Sequence, residues 1–206
     1  MNLKRRIIVL IFLLYLWESA KGLELYPGQC PRLSPVKNFD LQKFLGVWYV
    51  QSFYPFDDEP MLECQHFLYQ SHKGRFYEFE LLLDNDHDKQ VMTRSSVIRY
   101  HENTGGIEVK RRNSSYDNPP HHKTIPTRPH RFTMYPLALD YDSYVVMVTC
   151  NSHRRNQHYL GAWIMTRHCR PPGKFVLAAQ NALIKQDIEV VNMIHANHFN
   201  CELFKW

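Results

Sequence analysis

Eight short runs rich in aromatic and β-branched residues follow one another down the middle of this chain, each closed by a polar turn. They cover residues 47–54, 64–70, 75–83, 91–100, 107–111, 131–135, 144–150 and 159–166. Asp84-Asn85-Asp86 is a strong turn, and Asn103-Thr104-Gly105-Gly106 reads as a hairpin loop. Strands this numerous, short and evenly spaced favour a closed antiparallel barrel or a sandwich. One helix interrupts the pattern late. Pro171-Pro172 suits a helix's first turn, and Phe175, Ala178, Ala179, Ala182 and Leu183 then recur at helical spacing. A solitary helix after eight strands should pack outside the barrel. Residues 188–194 read as one more short strand. The stretch 113–130, rich in Pro and His, is expected to be a long mobile loop. There is no internal repeat.

The chain opens as a secretory leader over residues 1–22. Lys4, Arg5 and Arg6 form a basic start, 7–16 is an unbroken apolar run, and Ala20 and Gly22 are small residues where a signal peptidase cuts. A run of about ten apolar residues is too short for a membrane anchor, which needs roughly 20. Cleavage leaves residues 23–206 as a single domain with a substantial core. No second run of spanning length follows, so an extracellular chain with no integral membrane segment is expected.

The formal charge of +5 overstates the mature chain. Lys4, Arg5, Arg6 and Lys21 against Glu18 give the leader +3, leaving about +2. That is no footprint for nucleic acid, and Lys110-Arg111-Arg112 reads as a solvated strand end. Cys30, Cys64, Cys150, Cys169 and Cys201 would meet an oxidising compartment. Two disulfides and one leftover thiol are expected, with a connectivity that spacing does not give. Asn113-Ser114-Ser115 is an N-glycosylation sequon and marks an exposed stretch.

Three ordered motifs add a resemblance. Leu45-Gly46-x-Trp48-Tyr49, preceded by Cys30-Pro31 and Asn38-Phe39-Asp40, resembles the first lipocalin motif. Leu139-Asp140-Tyr141 resembles the second, normally Thr-Asp-Tyr, with Leu139 in place of the Thr. Ala162-Trp163-Ile164-Met165-Thr166-Arg167 resembles the third. The whole mature chain is similar to the apolipoprotein D and insect bilin-binding branch of the lipocalin family. The resemblance implies an all-β, eight-stranded up-and-down barrel with one C-terminal helix outside and a short extra strand. It implies Cys30–Cys150 and Cys64–Cys201 disulfides. Gly46, Trp48, Asp140, Tyr141 and Arg167 would be structural, with Arg167 laid over the Trp48 indole.

A barrel of eight strands leaves room for one small ligand. With Trp48 inward, strand alternation places Val50, Ser52 and Tyr54 on its face, and Trp163 beside Met165. The resemblance puts Tyr69, Phe132 and Trp163 on ligand-lining positions. The ligand-binding set is then Trp163, Tyr69, Phe132, Tyr54 and Met165, in an interior expected to be mostly apolar. A register slip of one residue inverts that set. Retinoids, sterols, fatty acids and bilins suit such a pocket. The function implied is a secreted carrier, with roles in lipid handling and protection against oxidative stress.

Two other classes compete. Cys169 sits among Arg167, His168 and Arg170 just before a helix, a setting that lowers a thiol pKa. An enzyme of the lipocalin family uses a cavity thiol, but on an early strand, whereas Cys169 follows the last one. An intermolecular disulfide through Cys169, or a receptor for the loop around Asn113, would instead make this a protein-binding lipocalin. His121, His122 and His130 in a Pro-rich loop lack a carboxylate or Cys partner. Asp84, Asp86 and Asp88 lack the Gly and final Glu of a calcium loop. No nucleophile–His–acid triad and no phosphate-cradling Gly loop is present, so no catalytic residue, metal or cofactor is expected.

Overall fold

The computed structural model describes residues 25–54, 63–84, 89–111, 131–154, 156–198 and 201. The strands are β1 (Leu25–Pro27), β2 (Gly46–Tyr54), β3 (Glu63–His72), β4 (Arg75–Asp84), β5 (Lys89–His101), β6 (Gly106–Arg111), β7 (Arg131–Asp140), β8 (Tyr144–His153), β9 (Gln157–Thr166) and β10 (Ile194–His195). The helices are α1 (Leu41–Phe44) and α2 (Gly173–Ile184). Strands β2 to β9 pair in sequence order, and β9 pairs back onto β2. This closes an eight-stranded antiparallel barrel with no free edge between its members. β1 adds to β9 and β10 to β2. The leader 1–22, Asn113 and the His-rich loop 113–130 lie outside the described residues.

Most strands run one to three residues beyond the expected bounds, and two differ by more. β7 continues through Pro136 to Asp140. Proline lacks the ladder N–H, so it is tolerated in a strand at an irregularity, and the register with β8 shifts between Pro136 and Ala138. The Pro136 carbonyl meanwhile accepts from the Val36 N–H at 2.7 Å. The strand expected over 188–194 is reduced to Ile194–His195. Ile188 instead closes the end of α2, its N–H donating to the Leu183 carbonyl at 3.1 Å. Ile188 and Met193 are buried beneath α2, so their apolar character serves anchoring rather than pairing.

The core has two parts. One fills the barrel, with Trp48, Val50, Phe53, Tyr69, Ile107, Val109, Met147 and Trp163 among its members. The other lies between the barrel wall and α2, where Val146, Val148, Ala162 and Ile164 meet Ala179 and Leu183. β8 and β9 are therefore covered on both faces. That is why Val145-Val146-Met147-Val148 and Ala162-Trp163-Ile164-Met165 read as continuous apolar runs. Disulfides Cys30–Cys150 and Cys64–Cys201 tie the N-terminal segment to β8 and the C-terminal segment to β3. Their separations of 120 and 137 residues correspond to about 4–5 kcal/mol each in the chain-entropy account.

Candidate functional site: the barrel interior

One end of the barrel is sealed by short-range chemistry. Asp40 caps α1, its Oδ1 accepting from the N–H groups of Gln42 at 2.9 Å and Lys43 at 3.3 Å. The Tyr141 hydroxyl in turn accepts from the Asp40 N–H at 2.6 Å. Phe44 at the end of α1 stacks on Trp48, centroids 5.1 Å apart, and its carbonyl accepts the Trp48 indole N–H at 2.8 Å. Arg167 covers the other side of this floor. Its guanidinium carbon stands 3.8 Å from the Trp48 ring centroid. Its nitrogens donate to the carbonyls of Tyr141 at 2.8 Å, Val47 at 3.0 Å and Lys43 at 3.2 Å. Gly46 has φ +102°, and a Cβ there would stand 3.1 Å from Arg167 Nη1. Only glycine satisfies both conditions. Asp140 holds the β7–β8 turn, accepting from Asp142 N–H at 3.1 Å and Ser143 N–H at 3.0 Å. The structure thus brings Gly46, Trp48, Tyr141 and Arg167 into one cluster, with Asp140 at its margin.

Above this floor, Tyr69, Phe132, Trp163 and Met165 line one cavity together with Phe67, Met134 and Met147. Tyr54 does not join them. The β2–β9 register shifts between Val50 and Ser52, so one extra residue, Gln51, reverses the alternation. Trp48, Val50 and Phe53 point inward. Ser52 turns out, its hydroxyl 4.0 Å from Met193 Sδ. Tyr54 packs in the outer cluster with its ring 6.1 Å from Tyr26. Gln51 itself reaches the end of β9 and the segment after it, donating to Thr166 Oγ1 at 2.9 Å and towards the Cys169 carbonyl at 3.3 Å.

The cavity is not apolar throughout. Glu78, Glu80, Arg94, Ser96 and Arg111 form its β4–β6 side, which the sequence reading did not anticipate. β4 is inverted: Phe76, Glu78 and Glu80 face in, while Tyr77 and Phe79 face out and stack at 6.3 Å. The preceding hairpin is the cause. Lys73 and Gly74 both take positive φ, +49° and +72°, as a two-residue hairpin turn requires. That turn sets His72 opposite Arg75 and hence Tyr69 opposite Glu78. If Tyr69 lines the interior, Glu78 must as well.

These buried polar groups are paired. The Tyr69 hydroxyl donates to Glu78 Oε2 at 2.9 Å. Gln65 Nε2 donates to Glu80 Oε1 at 2.9 Å, and Arg94 Nε sits 3.2 Å from Glu80 Oε2. The Arg111 guanidinium stands 5.0 Å from the Phe132 centroid. Burial pushes the Glu78 carboxyl up to about 7, against the opposing pull of the Tyr69 hydrogen bond and the Arg111 charge. Burial likewise pushes the Tyr69 phenol well above its ordinary value, with the Glu78 charge adding to it. One donor remains. The Trp163 indole N–H is 4 % exposed as a residue and finds no partner among the described residues. The free volume between these walls is about 20 Å³, room for one water molecule.

Cys169 lies outside this interior. It is half-buried and packs against the Cys64–Cys201 disulfide. Among the described residues no group of three His, Cys, Asp or Glu side chains is placed to hold a metal ion. No helix among them is long and apolar enough to cross a membrane.

No family model matches the chain. Its sequence is 24% identical over 203 residues to apolipoprotein D of Cavia porcellus, covering 96% of this chain and 97% of that protein. It is 26% identical over 154 residues to insecticyanin-B of Manduca sexta, covering 72% and 68%. The solved structure of insecticyanin from the tobacco hornworm superposes with a TM-score of 0.70 at 19% identity, over 87% of this chain and 91% of that one. The barrel is thus a lipocalin barrel, and its sequence resembles the apolipoprotein D and insecticyanin branch.

Proposed function

We propose that this lipocalin barrel, similar to apolipoprotein D and insecticyanin, is a secreted carrier of one small hydrophobic molecule held in the interior. A retinoid, sterol, fatty acid or bilin is the ligand class, with lipid handling and protection against oxidative stress as the setting. The observation that carries this reading is the wall of Phe132, Met134, Met147, Trp163 and Met165 inside a closed barrel sealed at one end by Trp48 and Arg167. A free volume of about 20 Å³ admits no such ligand while the side chains rest as they are. Three of the five wall residues are methionines, however. An unbranched thioether changes rotamer at low cost and repacks around whatever enters. The ligand then gains about 25 cal/mol for each Å² of apolar surface removed from water, less the cost of ordering.

Residues 1–22 serve as the leader in this reading, and Asn113 is glycosylated during secretion. A receptor, or an intermolecular disulfide through Cys169, is the competing protein-binding reading. Half-burial of Cys169 against a disulfide gives a partner thiol poor access and disfavours the second form. The test is expression in a secretory eukaryotic host, mass spectrometry of extracted small molecules, and tryptophan-fluorescence titration of the stripped protein. A stoichiometric apolar ligand whose quenching disappears in Trp163→Phe supports the carrier. A protein that emerges empty and answers to no ligand of these classes refutes it.

A further inference from the structure

We propose that Cys64, Cys169 and Cys201 form a thiol–disulfide exchange site, in which Cys169 displaces Cys201 from Cys64 and the free thiol passes to the C-terminal segment. The proposal goes beyond the carrier reading and does not depend on it.

Three sulfurs meet outside the barrel wall. Cys64 and Cys201 are bridged, and both residues are 1% exposed. Cys169, the unbridged cysteine, packs against that bridge. One residue builds the contact. Gln51, the extra residue at the β2 irregularity, donates through Nε2 to Thr166 Oγ1 at 2.9 Å and towards the carbonyls of Cys169 at 3.3 Å and His168 at 3.4 Å. Its main-chain carbonyl accepts from the Ala196 N–H at 3.0 Å. Gln51 thus holds the segment carrying Cys169 with its side chain and the segment leading to Cys201 with its backbone. Cys64 is fixed as well. Its N–H donates to the Asn197 carbonyl at 2.7 Å, and its own carbonyl stands 2.6 Å from His66 Nδ1. The Cys30–Cys150 bridge is placed differently: the group beside Cys30 Sγ is the Ser152 hydroxyl, 3.9 Å away.

A thiolate attacks a disulfide sulfur directly, and a thiol already held against its target needs no encounter step. Cys169 gives its proton to solvent. Its Sγ bonds to Cys64 Sγ as the Cys64–Cys201 bond breaks, and the bonding pair leaves on Cys201 Sγ. Cys201 then takes a proton from solvent. Both states contain the same atoms and electrons, so no oxidant or reductant is consumed. The direction of departure follows from His198, whose Nδ1 stands 3.5 Å from Cys201 Sγ. A disulfide sulfur carries no proton, so the ring N–H is the donor in this contact. Negative charge developing on Cys201 strengthens that hydrogen bond. Among the described residues no donor meets Cys64 Sγ in the same way. Departure of Cys201 leaves the preceding segment in place. Ile194 and His195 stay paired with Phe53 and Ser52, and Asn197 Nδ2 still donates to Glu63 Oε1 at 2.9 Å. The thiol has then moved from a half-buried position to the segment beyond residue 198, where an external disulfide or alkylating electrophile meets it.

The test traps thiols with iodoacetamide on the native mature protein near pH 8, without reductant, followed by acid quenching and non-reducing peptide mapping by mass spectrometry. The label should accumulate on Cys201 to several times its level on Cys169. It should do so in step with a Cys64–Cys169 linked peptide, while Cys30–Cys150 stays intact. Cys169→Ser should abolish labelling at Cys201. Gln51→Ala should lower the ratio of Cys201 to Cys169 label several-fold, with Cys30–Cys150 still bridged. The map of the unaltered protein decides the matter if either variant fails to fold. Label confined to Cys169, with Cys64–Cys201 intact, overturns the proposal. So does a protein that takes no label until it is denatured. A Cys169–Cys201 linked peptide with label on Cys64 overturns the direction and with it the proposal as stated. Label that spreads to Cys30 and Cys150 reports general scrambling and overturns the assignment to this site.

Discussion

Arg167 ties the barrel floor together. Its guanidinium covers Trp48 and holds carbonyls from three separate segments. Arg167→Ala should therefore lower the unfolding free energy by about 2–3 kcal/mol, the sum of a cation–π contact and charge-assisted hydrogen bonds. Arg167→Lys should recover little of it, because a point charge does not span the fork. Urea unfolding of the three proteins checks both statements. Glu78 makes a second, pH-dependent case. Its folded-state pKa of about 7 lies above the ordinary value of 4.5. The contribution is present below the ordinary value and lost as pH rises through 7, reaching about 3 kcal/mol. Glu78→Gln should flatten this slope, so that its urea midpoint exceeds that of the unaltered protein at pH 8 by more than at pH 5. Both residues bear on what a sequence reveals. Trp48 and Arg167 are legible because their identities recur in a motif. Tyr54 was misplaced because nothing in Val50-Gln51-Ser52 marks the bulge that turns it outward.

At the level of elements, α2 shows how much a single apolar position means. Leu183 is fully buried against β8 and β9, whereas Leu177 on the same helix is 57% exposed. Leu183→Ala should cost about 2–5 kcal/mol through lost contacts and the cavity left behind. Leu177→Ala should stay within about 0.5 kcal/mol. Thermal unfolding distinguishes them. The helix and all eight barrel strands were readable from spacing and turns. β4 was the exception in orientation. Tyr77-Glu78-Phe79-Glu80 alternates cleanly, and ordinary patterning puts the aromatic face inside. The hairpin at Lys73-Gly74 overrides that preference by fixing the register to Tyr69. The run over 188–194 misled for another reason: anchoring beneath a helix and pairing in a sheet both ask for apolar residues.

For the molecule as a whole, the barrel closes without help from the disulfides, which fasten the segments outside it. Replacing Cys30 and Cys150 together by Ser should lower stability by about 2–5 kcal/mol while leaving the strand content intact. Circular dichroism followed through urea unfolding reads both quantities. The number and evenness of the strands left a barrel or a sandwich open, and the resemblance carried by the three motifs chose closure. The state of the interior was not legible, because free volume depends on side-chain conformations that no pattern of residue types encodes. The charged side of the cavity, set by register, was the part of the site that spacing alone concealed.

The sealed floor carries a kinetic consequence. With Trp48 fully buried beneath Phe44 and Arg167, this end is closed by the described residues, and under the carrier proposal a cargo leaves by the route it entered. One molecule cannot push another through. Exchange then passes through an empty barrel, and the release rate of a bound fluorescent lipid should stay constant however much competitor is added. On that proposal delivery is a matter of residence time, set by the protein and not by the traffic around it.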